Sequence, residues 1–275
     1  MNKPERIAPE NTKSDEVLYD VADHIATITL NAPGRMNTIS GPMLARLSEC
    51  LLEADRDSDV RCIILTGTGR AFCAGLDLRA ATEGTGMGIG SGAGATDLDL
   101  RNTPPTVLHS INTPVICAVN GGAAGYGADT AIGCDIRIMA ESSKLALSFA
   151  KRGILPESGG TWLLPRLLGW EQAAKIIFTG RTLSAKECVE MGLASEVVPD
   201  AELIPRARAL AAEIAANAPL AVAAAKRMMR MGLSEPFDEH VHHVYLQLLP
   251  LMRTKDAREG MLAFIEKRTP KFEGK

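Results

Sequence analysis

Two short segments about fifty residues apart constrain this chain more than anything else in it. The first is Arg70-Ala71-Phe72-Cys73-Ala74-Gly75-Leu76-Asp77-Leu78, and the second runs from Pro114 through Asn120-Gly121-Gly122-Ala123-Ala124-Gly125-Tyr126-Gly127-Ala128-Asp129. Each follows an apolar run of strand length, Cys62-Ile63-Ile64-Leu65 in one case and Val115 to Val119 in the other, and then breaks into glycine and small residues. That order reads as buried strand, tight turn and helix start. Glycine permits positive φ and lets another group approach the backbone closely. Two such turns side by side can aim two N–H groups at one point, as an oxyanion hole requires. Turns that merely join strands to helices are the plainer alternative.

The remaining pattern supports an α/β chain. Residues 16–22 and 24–31 alternate or run apolar around Asp23-His24, which suggests a hairpin. Leu44, Leu47, Leu51 and Ala54 recur at helical spacing behind Ser40, a candidate cap. Strands expected at 61–66, 115–119 and 135–140 are separated by helices, which points to a right-handed α/β spiral rather than an antiparallel sandwich. From about Ala201 the pattern is wholly helical, so the chain divides into a polar tail (1–14), a core (15–200) and a C-terminal helical region (201–275). Residues 82–95 are rich in Gly and Ser and read as a mobile loop.

Composition excludes several classes. No apolar run approaches the roughly 20 residues that cross a bilayer, and the start, with Pro4 and Pro9, is too polar for a signal or anchor. A formal net charge of −3 gives no general attraction for nucleic acid. Six scattered cysteines without a Cys-x-x-Cys pair fit buried thiols in a reducing cytoplasm. Glu239 and His242 share a helix face, but with no complementary cluster they read as a solvated face rather than a metal site.

Both glycine segments resemble the crotonase (enoyl-CoA hydratase/isomerase) superfamily, and most of all its phenylacetate-pathway-type enoyl-CoA isomerases. The resemblance continues through residues 24–31, Gly34-Arg35-Met36-Asn37, the stretch 153–162 containing Leu155-Pro156-Glu157-Ser158-Gly159-Gly160, and Phe264-Ile265-Glu266-Lys267-Arg268. It implies the crotonase spiral of ββα units with a C-terminal helical trimerisation region, and a homotrimer or homohexamer. The substrate would be an acyl-CoA thioester. Coenzyme A would enter as part of it, with no permanently bound cofactor, no metal, no nucleic acid and no membrane partner.

Carried over by motif, the oxyanion donors are the N–H groups of Leu76 and Tyr126. The resemblance also places CoA along Arg35, Met36, Ala74, Leu76, Asp77 and Leu78, with Phe264 and Lys267 as a C-terminal clasp. Two glutamates serve the family's hydratases, and here those positions hold Asp129 and Phe149. Phe149 has no proton to give. Isomerase-like members carry an acid at the position of Glu157, and a 3-enoyl to 2-enoyl shift needs only one base. Burial would raise the pKa of Glu157 and the following helix N-terminus would lower it, a contest the sequence leaves open. Glu157 could instead merely favour that helix, and Asp129 could be a local hydrogen-bonding residue. The expected activity is enoyl-CoA isomerisation. The alternatives are hydration by Asp129 and Glu157, or a catalytically silent acyl-CoA-binding or RNA-associated protein.

Overall fold

The computed structural model describes residues 15–77 and 103–275. The expected tail (1–14), the Gly/Ser-rich loop (82–95) and Leu78 lie outside the described residues.

Strands β1 (Val17–Ala22) and β2 (Ile25–Leu30) form the expected antiparallel hairpin. Asp23 and His24 both have positive φ, 53° and 64°, which matches the right-handed twist of the strands they join. Helix α1 (Gly41–Arg56) follows, with the Ser40 hydroxyl accepting the Met43 N–H as its cap. Of the expected stripe, Leu47, Leu51 and Ala54 are wholly buried, as is Met43, while Leu44 is partly buried against the same core.

Beyond α1 one unit repeats. Strand β3 (Cys62–Gly67) leads into β4 (Ala71–Cys73), and, after the undescribed stretch, α2 (Pro104–Ser110). Then β5 (Val115–Val119), β6 (Gly122–Ala124) and α3 (Tyr126–Gly133) follow, and then β7 (Ile136–Ala140), β8 (Lys144–Ala146) and α4 (Gly160–Leu168). The first strand of each unit joins a six-stranded sheet, ordered β1-β2-β3-β5-β7 and ending on the strand Glu196–Val198, parallel from β2 onward. The second joins a smaller sheet, β4-β6-β8, ending on the strand Thr182–Ser184. Helix α5 (Trp170–Thr179), β9 (Thr182–Ser184), α6 (Ala185–Glu190) and β10 (Glu196–Val198) complete the two sheets.

The apolar runs of β3 and β5 are continuous because both faces of the large sheet are covered. Ile63, Leu65, Val115, Cys117 and Val119 face the core shared with α1 and α3. Ile64, Ile116, Ala118 and Ile138 face the other way, onto Leu203, Ala207 and Ala211 of α7 (Leu203–Ala215). Helix α7, although part of the helical region starting near 201, thus closes the sheet's second face. Arg61 reinforces that closure by donating to the carbonyls of Ala215 and Phe272, at 3.1 and 2.8 Å. Three further helices end the chain: α8 (Pro219–Met231), α9 (Phe237–Leu251) and α10 (Lys255–Glu266). No single helix among the described residues is long and apolar enough to cross a membrane. All six cysteines are free and buried.

Two polar residues fix the parts of this framework that matter below. Asn37, fully buried, accepts the Ala32 N–H and donates to the carbonyls of Thr68, Ala71 and Phe72, pinning the loop before α1 to the β3–β4 turn. Arg137 of β7 donates to the carbonyls of Leu193, Ala131, Ile132 and Cys134. A cation there satisfies the orphan carbonyls at the C-terminal end of α3. Replacing Arg137 with Leu strands these buried carbonyls. Urea unfolding should show a loss of about 3 kcal/mol, set by the desolvation of acceptors left without donors.

Candidate active site

The loop 33–39 docks edge-on against the first glycine turn. Ala74 N–H donates to Met36 O, Ile39 N–H to Gly75 O and Asp77 N–H to Ile39 O, at 3.0, 2.8 and 3.0 Å. This one-residue parallel bridge pairs Ile39 with Leu76 through the groups flanking Leu76. The Leu76 N–H therefore points away from the bridge, and no backbone carbonyl among the described residues takes it up.

The second donor arises at the start of α3. Gly125 caps that helix with φ of 50°, and Tyr126 is its first residue, so the Tyr126 N–H has no intrahelical acceptor. The two turns touch. Gly75 has φ of 103°, and a Cβ built on it would stand 3.0 Å from Ala124 O and 3.8 Å from Tyr126 N. A Cβ at Gly127 would overlap the Cys73 carbonyl and thiol. Glycine at 75 and 127 lets the turns that carry Leu76 and Tyr126 pack backbone against backbone.

Leu76 and Tyr126 both line a small cavity of about 80 Å³, with Ala74, Phe149, Arg152 and Glu157 among others. Tyr126 and Glu157 also line a larger cavity of about 550 Å³, walled by Pro105, His109, Trp162 and Leu163. The small cavity has the size and donors for a carbonyl oxygen. The large one has the apolar wall for an acyl group. Trp162 is braced by Arg166, whose guanidinium carbon lies 3.9 Å from the ring centroid, and His109 meets it edge-on at 5.3 Å. Burial, and then the charges of Arg230 and Lys226, hold the His109 pKa below the usual imidazole value.

Glu157 sits three residues before α4, facing both cavities. It is open by surface area, yet enough protein surrounds it that burial raises its pKa, against a smaller pull from its own backbone N–H. Burial outweighs that pull, and the neighbouring Ser158 amide goes to Asp129. Among the described residues, the Glu157 carboxylate makes no ion pair. Phe149 is packed into the small cavity wall, 2% exposed.

Asp129 lies behind that wall. It is fully buried and lines neither cavity. Its Oδ2 accepts the Ser158 N–H at 3.1 Å. Its pKa is raised to about 7, first by burial and then, after the opposing pull of the Ser158 amide, by the charge of Glu157.

The other expected contacts are dispersed. Arg35 donates through Nη1 to Glu16 and through Nε to Thr38 O, with the second Nη unpaired, and Met36 is half exposed. Asp77 lies 3.9 Å from Arg35. Phe264 is exposed on α10, Lys267 caps that helix with φ of 53°, and neither lines either of these cavities. Near Glu239 and His242, His240 and His243 turn their Nδ1 atoms to Glu235, and no group of three or more His, Cys, Asp or Glu placed to hold a metal ion occurs among the described residues. Sequence reasoning missed His109 and Arg152, for which no local pattern gives a signal.

The raised Asp129 pKa makes a stability prediction. Between about pH 4 and pH 7 the folded chain holds a proton on Asp129 that the unfolded chain has released, so stability falls as pH rises through that window. Asp129→Asn removes this slope. Thermal unfolding should show the variant gaining on the wild type from pH 4 to pH 8.

Comparison with known proteins agrees with this geometry. A model of the enoyl-CoA hydratase/isomerase family matches residues 20–275. The 1,2-epoxyphenylacetyl-CoA isomerase of Escherichia coli K12 is 39% identical over 267 residues, covering 94% of this chain and 98% of its own. The (E)-benzylidenesuccinyl-CoA hydratase of Thauera aromatica is 35% identical, covering 94% and 99%. The crystal structure of enoyl-CoA hydratase from Bacillus anthracis superposes with a TM-score of 0.86 at 35% identity, over 94% of this chain and all of that one. Two adjacent glycine turns, a split pair of sheets and an acid at the cavity mouth thus place the chain in the enoyl-CoA hydratase/isomerase family, with its crotonase fold.

Proposed function

We propose that the chain is an enoyl-CoA isomerase that moves a double bond from the 3- to the 2-position with Glu157 as its single base. The observation that carries this reading is the division of the acids. Among the described residues, Glu157 is the one carboxylate on both cavity walls, while Asp129 lies behind them and Phe149 fills the second hydratase position. The thioester oxygen enters between the amides of Leu76 and Tyr126. Glu157 takes a proton from C2, the electron pair moves onto that oxygen as an enolate, and the same proton returns at C4. Each amide donor contributes typically ~3–4 kcal/mol to such a transition state. A carboxylate with a raised pKa both takes and returns the proton more evenly.

The Trp162–His109 wall suits a ring-derived acyl group, and the names of the Escherichia coli and Thauera relatives carry ring-bearing acyl-CoA esters. Hydration is the second reading. The neighbouring Asp129, whose carboxyl is also raised toward neutral pH, favours it. Assembly into a trimer or hexamer through the exposed apolar residues of α9 and α10, such as Phe237 and Phe264, and a cytoplasmic location belong to the same proposal.

Glu157→Gln should lower 3-enoyl-CoA isomerisation by roughly 10²- to 10⁴-fold while leaving thioester affinity nearly intact. Rapid hydration of crotonyl-CoA by the wild type, or isomerisation that survives the substitution, would overturn the assignment.

For the nucleotide, the reading keeps Arg35, whose side chain is partly exposed, and Lys267 as phosphate contacts. Replacing either by Ala should weaken CoA binding and flatten its salt dependence in calorimetric titrations. Equal affinity in both variants would put the nucleotide elsewhere.

A further inference from the structure

Asp129 is a buried acid that the one-base reaction leaves unused. It stands one helical turn after Tyr126 on α3, the helix whose first amide is an oxyanion donor. Its Oδ2 holds the Ser158 N–H, in the loop that carries Glu157. Its Oδ1 makes no hydrogen bond, and neither do the buried hydroxyls of Tyr126 and Ser158. Those two hydroxyls face each other closely enough for Ser158 to soften the rise of the Tyr126 pKa, without reaching hydrogen-bond geometry. Gly160 is pressed against Oδ1 so tightly that a methyl group there would overlap it.

A carboxylate anion in this place would have the Ser158 amide in good geometry and only a weaker pull from the Gly160 amide, which is outweighed by burial, and buried anions need more donors. A neutral carboxylic acid brings its own. Without the charge that desolvation cost falls away, while Oδ2 still accepts from Ser158. We infer that Asp129 acts as a neutral carboxylic acid, a positioning residue that ties the oxyanion helix α3 to the Glu157 loop and so fixes the base relative to the amide donors.

The titratable groups facing Asp129 are consistent with that form. Glu157 lies across the loop, and its charge opposes a second charge on Asp129. Tyr126 on the same helix is pushed well above its ordinary pKa, first by burial. Behind Tyr126 the Cys73 thiol of β4 is pushed up to about 12 by burial. Neither phenol nor thiol is ionised near neutral pH, so Glu157 is the charged neighbour. The two acids titrate as a pair: the base ionises on one side and Asp129 keeps its proton on the other.

The inference rests on Glu157 being the base, so its test needs a readout that does not depend on the reaction. Wild type, Asp129→Asn, Asp129→Ala and Gly160→Ala are compared by turnover against pH and by hydrogen exchange at the Ser158 amide. Asn mimics the neutral acid, with one acceptor and one donor group. In the wild type, turnover should rise with Glu157 ionisation and fall again above about pH 7 as Asp129 loses its proton. Asp129→Asn should keep turnover within about tenfold, lose the alkaline fall and keep the Ser158 amide protected. Asp129→Ala should lose on the order of 10²-fold, the size expected when reacting groups are displaced by about an ångström, with that amide exchanging fast. Gly160→Ala, which disturbs the contact without removing the acid, should change both readouts in the same direction. Asp129→Asn as inactive as Glu157→Gln, an alkaline fall that persists in the Asp129→Asn enzyme, or equal Ser158 exchange in all four proteins would overturn the inference. Activity surviving in Glu157→Gln with the exchange pattern as expected would instead remove the base assignment and leave the Asp129 tie standing.

Discussion

The contact between the two glycine turns is the constraint on which the rest of this structure depends. Gly75 and Gly127 are where backbone meets backbone, against Ala124 and Cys73, with no room for a side chain at either. Close approach at those points brings Leu76 and Tyr126 to one small cavity. It also explains why both sheets are needed. The large sheet delivers each turn at the end of a buried strand, and the small sheet, through the parallel pairing of β4 with β6, holds the turns at a fixed spacing. A pair of donors built from backbone rather than side chains, as proposed for Leu76 and Tyr126, is preorganised as well as the fold itself.

Around that contact, buried polar residues act as fasteners. Asn37 fills the gap between the loop before α1 and the β3–β4 turn, and Arg137 closes the carbonyl end of α3. Each sits where backbone groups would otherwise be stranded away from water. Asp129 occupies a comparable place between α3 and the Glu157 loop, but its partners are incomplete, which is what sets it apart from the other two. Arg35 is a fastener as well. Its guanidinium is engaged by Glu16 on one side and by Thr38 on the other, so any ligand meets a cation already partly neutralised.

Much of this was legible in the residues. Apolar runs at 62–65 and 115–119 declared buried strands, Asp23-His24 a tight hairpin and Ser40 a helix start, because each depends on chemistry within a few residues. The glycines of both turns pointed to close backbone approach for the same reason. The helical region from 201 was readable as helix. That its first member would cover the sheet was not, because a stripe of Leu203, Ala207 and Ala211 says only that some apolar surface must meet it.

The sequence by itself thus determined the local elements, the two turns and the presence of an acid at position 157. Tertiary structure decided which acids can touch an acyl group. Asp129 and Glu157 are both carboxylates beside glycine-rich motifs, yet one is sealed behind the cavity wall and the other faces the void. It also decided the direction of the Glu157 pKa, which burial raises against a smaller backbone pull, while the Ser158 amide goes to Asp129, 29 residues earlier in the chain. It placed His109 beside Trp162 and Glu16 on Arg35. Burial, competing hydrogen bonds and like-charge contacts are set by groups far apart in sequence, and no local pattern encodes the distance between them.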